Sequence, residues 1–192
     1  MICIIYAHPY PSRSRANRVL LNAVRAMAET EVEVRSLYDM YPDFNIDTAA
    51  EQAALARAQL IVWMHPVQWY SVPGLMKHWL DQVLSFGWAY GDGAHALTGK
   101  HCLWVATAGG DERAYSPQGM HEQPFTNFIP PVEETARFCR MQWEPPFVVL
   151  GAHLIDEAAM HERAEELVKR LRDWSAQAAK SLPDKKTPEV AP

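Results

Sequence analysis

Residues 59–64, QLIVWM, form an almost wholly apolar run with no polar alternation. A strand wetted on one face alternates, so a run of this length without alternation reads as a strand buried on both faces of a parallel sheet. Such a strand is central, and it commits the chain to an α/β architecture. In the stretch that follows, HPVQWYSVP, Pro66 and Pro73 bar regular continuation while Gln68, Trp69 and Tyr70 crowd one short connection. From about Gly74 a helix is predicted. Leu75, Met76, Trp79, Leu80, Val83 and Leu84 recur at helical spacing, with Lys77, His78, Asp81 and Gln82 opposite. Ligands of open α/β sheets bind beyond the carboxyl ends of the strands, which is where this aromatic loop falls.

Two further loops of unusual chemistry follow strand-like runs. MICIIY at residues 1–6 reads as a buried first strand and leads into AHPYPSRSRAN. There Ser14 is a candidate N-cap for a helix carrying Ala16, Val19, Leu20, Ala23 and Val24, with Arg13 and Arg15 beside it. Free amides and arginines at a helix start attract anions, so both a bound phosphate and a plain capped helix with solvated arginines fit this segment. HCLWVAT at 101–107 is another buried strand. It runs into AGGDERAYSPQGMHEQPF, where Gly109 and Gly110 let main-chain amides approach a ligand and where no periodicity accounts for Tyr115 or His121.

The remaining segments complete a single domain over residues 1–180. EVEVRSL at 31–37 alternates and reads as a strand near the sheet edge. YDMYPDFNID at 38–47 reads as a packed surface loop or an oligomer contact, and 48–58 as an Ala-rich helix. Further helices are predicted at 131–140 and 156–174, with a short last strand at 147–150. Residues 181–192 have the composition of a disordered tail. Five strands alternating with helices give a flavodoxin-like, doubly wound, five-stranded parallel sheet of order 2-1-3-4-5, which sets the three loops side by side.

Charge and motif content narrow the function. A net charge of −5 with no basic cluster argues against nucleic acid as a partner. Cys3, Cys102 and Cys139 read as buried thiols of a reducing compartment. No apolar run approaches the roughly 20 residues of a membrane span, and no leader is apparent at the start, so a cytoplasmic location is expected. His121-Glu122 and His161-Glu162 lack the second histidine of H-E-x-x-H, and no G-x-S-x-G is present. Gly91, Gly93 and Ala96 imitate a dinucleotide fingerprint without its strand and helix, and Gly93 to Lys100 is one residue too long for a P-loop. Trp88 and Tyr90, in the same stretch, line a pocket or pack against the domain. A phosphate grip beside an aromatic wall and a row of amides suits FMN.

These motifs resemble those of the flavodoxin-like NAD(P)H:quinone oxidoreductase family, the DT-diaphorase family. AHPYPSRSRAN, LYDMYPDFNID, HPVQWYSVPGLMKHWLD and GWAYGDGAHALTGK are most similar, in order and spacing, to its subfamily of ancillary flavoproteins of bacterial glutathione-gated potassium efflux systems. The resemblance implies that His8, Ser14, Arg15, Ala16 and Asn17 surround the flavin phosphate. It implies that Val67, Gln68, Trp69 and Tyr70 line the ring, and that Thr107, Ala108, Gly109 and Gly110 follow its other side with their amides. Ala108 stands where the family's usual motif has a second threonine.

Tyr115 and His121, within YSPQGMH, match the tyrosine and histidine that family members place near the flavin's pyrimidine carbonyl. As the implied catalytic pair they would stabilise the charge that reduction leaves around N1 and the C2 carbonyl, and would share a proton. The resemblance further implies a homodimer that passes two electrons from NADH or NADPH to a quinone by ping-pong kinetics, with FMN, or alternatively FAD, as cofactor. Its rival implication is a regulatory subunit that binds a potassium efflux transporter on the cytoplasmic face of the inner membrane. A flavodoxin-like electron carrier is a third reading, and the mild acidity of the chain counts against it.

Overall fold

The apolar run that anchors the sequence becomes β3 (Leu60–Pro66), buried along all but its last residue. It lies at the centre of a five-stranded sheet with β1 (Ile2–Tyr6), β2 (Val32–Ser36), β4 (His101–Thr107) and β5 (Gln142–Val149). All neighbours pair in parallel, in the order β2-β1-β3-β4-β5, which is the flavodoxin-like topology. The computed structural model describes residues 1–181.

Side chains alternate between two cores, as a strand's period of two requires. Cys3, Ile5, Ile61, Trp63, Cys102 and Trp104 point to one face, covered by α3 (Thr48–Arg57), α4 (Gly74–Val83) and α5 (Pro130–Phe138). Ile2, Ile4, Leu60, Val62, Leu103 and Val105 point to the other, covered by α1 (Arg15–Arg25) and α6 (Glu157–Ser181). Helix α4 buries Leu75, Met76, Trp79 and Val83, the face its sequence marks as apolar. The three cysteines are free and buried, and burial pushes the Cys3 thiol up to about 12 and the Cys139 thiol to about 11.

The structure differs from the sequence reading at three places. Strand β5 begins at Gln142, five residues before the predicted start, because its Pro145-Pro146 pair does not end it. The prolines stand at a register shift between Leu103 and Val105, on an edge strand, where a missing N–H removes nothing the sheet needs. Helix α6 runs past Trp174 to Ser181 because SAQAAK continues in good helix formers. Ser181, assigned to the tail, therefore belongs to the helix; the rest of the predicted tail, 182–192, lies outside the described residues.

The 38–47 stretch is less of a loop than predicted. It opens as one helical turn, α2 (Leu37–Met40), followed by a buried Tyr41. The cause is Glu51 of α3, a fully buried carboxylate. Glu51 Oε1 accepts from Arg35 at 2.7 Å and from the Tyr41 hydroxyl at 2.6 Å, while Oε2 accepts from Trp79 Nε1 at 2.9 Å. A buried charge is tolerable only with such pairing, and the pairing ties β2, α3 and α4 to the aromatic stretch.

Candidate flavin site

Parallel register brings the strand ends level: Tyr6 lies opposite Met64, Pro66 opposite Thr107, and Thr107 opposite Val149. The loops that leave β1, β3 and β4 therefore meet. They enclose a cleft of about 420 Å³ walled by His8, Ser14, Arg15, Ala16, Asn17, Val67, Gln68, Thr107, Ala108 and Gly109. Ten of the predicted residues thus share one cavity. Roomier grooves exist, of about 640 Å³ between α4 and α5 and about 510 Å³ between α1 and α6. What singles out the smaller cleft is its hydrogen-bonding chemistry.

Ser14 caps α1. Its Oγ accepts from the Asn17 amide N–H at 3.2 Å and from Asn17 Nδ2 at 3.0 Å, so its own proton remains for an anion. Asn17 Nδ2 also donates to Thr107 Oγ1 at 2.8 Å, which orients that hydroxyl in the same way. Asn17 is only 3% exposed, and its Oδ1 is buried with no partner among the described residues. An unpaired buried acceptor is costly unless a ligand hydroxyl donates to it.

The two flanking basic groups are held differently. His8 Nδ1 accepts from the Tyr10 amide at 3.0 Å, which assigns the ring proton to Nε2, and burial lowers its pKa so that the ring is neutral near pH 7. Arg15 reaches across to donate to the Ile155 carbonyl, closing the cleft from the loop after β5.

The amides behave less uniformly than the resemblance implies. Ala108 N–H donates to Val149 O at 2.9 Å, and Val67 N–H to Thr107 O at 2.8 Å, so both are spent within the protein. The expectation of an amide donor at Ala108 is corrected accordingly. Gly109 and Gly110 N–H have no acceptor among the described residues and remain as donors.

Trp69 and Tyr70 stand outside the cleft wall. Gln68 and Ser71 exchange two backbone hydrogen bonds of 3.0 Å, and the two residues between them have φ of 48° and 63°. A two-residue turn with both centres left-handed is the geometry that favours Asn-Gly, and it places bulky residues at a cost of about 1–2 kcal/mol each. The turn leaves Trp69 93% exposed.

Gly110, Tyr115 and His121 form a second cluster, joined to the cleft through Gly109. Tyr115 and His121 stack, and a Cβ on Gly110 would sit 3.1 Å from Tyr115 and 3.2 Å from His121. The Tyr70 hydroxyl lies 3.4 Å from His121 Nδ1. Burial, and secondarily the neighbouring Tyr70, raises the Tyr115 pKa, so its phenol is a proton donor at neutral pH.

Sequence reasoning missed several contributors, among them Tyr10 in the cleft wall. Ala152 and His153, from the loop after β5, complete the cleft. Their signal was position alone, at the carboxyl end of the last strand. Phe125 and Phe128 pack edge-on to Tyr115 at 5.2 and 5.9 Å, and Phe128 stacks on Tyr70 at 5.1 Å. They lie in and beside an irregular segment with no periodicity to mark them.

The donor set fits a phosphorylated flavin: hydroxyl protons and helix amides for a phosphate, one orphan acceptor for a polyol hydroxyl, and two free amides for a heteroaromatic edge. A glutathione-regulated potassium-efflux system ancillary protein KefF from Enterobacter sp. (strain 638) is 50% identical over 174 residues, covering 91% of this chain and 97% of that protein. The crystal structure of general stress protein 14 from Treponema denticola, in complex with FMN, superposes with a TM-score of 0.80 at 33% identity, covering 92% of this chain and 98% of that one. A putative quinone reductase from Klebsiella pneumoniae superposes with a TM-score of 0.76 at 27% identity, covering 90% and 84%. Among the described residues, no helix is long and apolar enough to cross a membrane. Residues 1–171 match the family described as flavodoxin-like fold, and with that match and the half-identical relative the chain belongs to the flavodoxin-like family.

Proposed function

We propose that the protein is an FMN-dependent NAD(P)H:quinone oxidoreductase that works by two-electron, ping-pong transfer. The observation that carries this reading is the continuity of the cleft with the Tyr115–His121 pair through Gly109 and Gly110. FMN bound there would supply a two-electron carrier between NADH or NADPH and a quinone, which use one pocket in turn.

The chain's residues do the rest. Ser14, Thr107 and the first amides of α1 hold the phosphate, with Nε2–H of neutral His8 as a further donor. Asn17 Oδ1 accepts from the polyol. Gly109 and Gly110 N–H, with the Tyr115 phenol, stabilise the negative charge that develops at the ring edge, and His121 exchanges a proton with Tyr115. Trp69, Tyr70, Val67 and Gln68 would border the ring and shed water from the substrate position.

Trp69 so exposed beside the site favours a homodimer in which a second copy covers it. A cytoplasmic location follows the same reading. FMN titration with single-turnover reduction by NADH or NADPH tests the proposal, and mass spectrometry of the released chromophore distinguishes FMN from FAD.

A second reading is favoured by the 50% identity to the KefF protein. In it the protein is a regulatory subunit that binds a potassium efflux transporter at the cytoplasmic face of the inner membrane, with turnover secondary. A His121→Gln protein that still gates efflux in cells would support this role over the enzymatic one.

A further inference from the structure

A histidine outside all the roles above stands behind the site. His65, next to last in β3, is wholly buried. Trp104, on the adjacent strand, donates from Nε1 to His65 Nε2 at 2.9 Å, which requires that nitrogen to be unprotonated. The ring proton therefore sits on Nδ1 and is donated to the Pro66 carbonyl at 3.0 Å. Burial holds the ring neutral, with its pKa pushed down to about 4.

Each hydrogen bond leads to a different half of the site. Pro66 opens the loop that carries Gln68, Trp69 and Tyr70. On the other side, the Trp104 ring stacks on Phe125 at 5.9 Å, Phe125 meets Tyr115 edge-on at 5.2 Å, and Tyr115 stacks on His121 at 4.2 Å. The circuit closes where the Tyr70 hydroxyl approaches His121 Nδ1. If packing were all this position needed, an aliphatic side chain would serve without the desolvation of two ring nitrogens. A fully paired imidazole instead fixes two partners at set angles.

We propose that His65 is a positioning residue: by bridging Trp104 to the Pro66 carbonyl it sets the aromatic loop at 66–70 and the Tyr115–His121 pair in register across the ring-binding position. Its effect on flavin chemistry rests on the function proposed above, whereas its effect on the two loops does not.

The test uses the full-length protein and three variants. His65→Leu removes both hydrogen bonds, Trp104→Phe removes one and keeps a ring, and His65→Asn retains a donor placed near Nδ1. The flavin-free readout is amide hydrogen exchange. In His65→Leu, exchange at 67–71 and 114–121 is expected to rise on the order of tenfold while 15–20 of α1 is unchanged, and His65→Asn restores protection at 67–71 alone.

In the FMN-loaded protein, flavin reduction at saturating NADH is expected to slow on the order of tenfold, with KM for NADH within about twofold. Should His65→Leu not fold, Trp104→Phe gives the same contrast at 114–121. Unchanged exchange in both loops, or a uniform rise across the whole domain, overturns the proposal. A wild-type protein that takes up no FMN overturns the functional reading, and the exchange arm still decides the role of His65.

Discussion

Tyr115 and His121 stack with ring centroids 4.2 Å apart and planes 17° from parallel, and both press against the missing side chain of Gly110. The pair is thus held by aromatic contact on one side and by bare backbone on the other. The stack fixes the phenol and the imidazole side by side, so that a group bound beside Gly110 would meet both at once.

Replacing either partner should therefore affect chemistry and not cofactor retention. His121→Gln is expected to slow flavin reduction by about 10- to 100-fold with FMN affinity unchanged, and Tyr115→Phe to do the same. Stopped-flow reduction beside an FMN titration checks this; an unaltered reduction rate in both variants removes their assigned role. Gly110→Ala pushes a methyl into the pair and is expected to reproduce the kinetic defect.

The phosphate grip should depend on Asn17 twice over, since it orients two hydroxyls and offers its own Oδ1. Asn17→Ala is expected to weaken FMN binding by at least about tenfold, the equivalent of one or two hydrogen bonds. Ser14→Ala should also lower stability by about 1 kcal/mol through loss of the helix cap. Fluorescence titration and urea unfolding separate the two effects.

The turn at Trp69 and Tyr70 holds two bulky residues in left-handed backbone, a cost that the proposed function would explain by their place beside the ring. A Trp69→Asn, Tyr70→Gly double substitution fits both left-handed positions, and it is expected to raise the unfolding free energy by about 1–2 kcal/mol while lowering turnover. A variant that is less stable than the parent in urea would show the turn is not strained.

Glu51 offers a stability test remote from the cleft. Glu51→Ala removes one of the two carboxylates that Arg35 pairs with, leaving Glu33, and leaves two buried donors, Tyr41 and Trp79, without their acceptor. A loss of about 3 kcal/mol or more is expected in urea unfolding, with the FMN affinity of the folded fraction preserved.

Acid should act through His65. Its folded-state pKa, about 4, lies below the ordinary 6.5, so the folded state resists a proton that the unfolded chain accepts. Stability from this group is intact above pH 6.5 and is lost as pH falls toward 4, by up to about 3 kcal/mol. Chemical unfolding across that window should show a shallower slope for His65→Asn than for the parent.

Much of this arrangement is legible in residues 59–84, 1–17 and 101–110, because uninterrupted apolar runs of strand length, ended by Pro or Gly, read as two-sided strands, and strand order then fixes which loops meet. Helix α4 is legible through a different signal, the helical spacing of Leu75, Met76, Trp79 and Val83. What could not be read is what depends on contacts distant in sequence. Glu51 looks like a solvated helix residue until Arg35, Tyr41 and Trp79 converge on it. Phe125 and Phe128 carry no periodicity and gain meaning only by packing on Tyr115. The resemblance placed Ala108 as a donor, yet its N–H belongs to Val149, a pairing set by β5, whose early start behind two prolines was itself hidden.

The central claim is that the cleft walled by Ser14, Asn17, Thr107 and Gly109 holds FMN, and the most direct measurement is the visible spectrum of the purified protein before and after addition of the cofactor. One flavin per chain, with its fluorescence altered on binding and its absorbance bleached by NADH or NADPH, is the expected result. A colourless protein that leaves added FMN free in solution would contradict it.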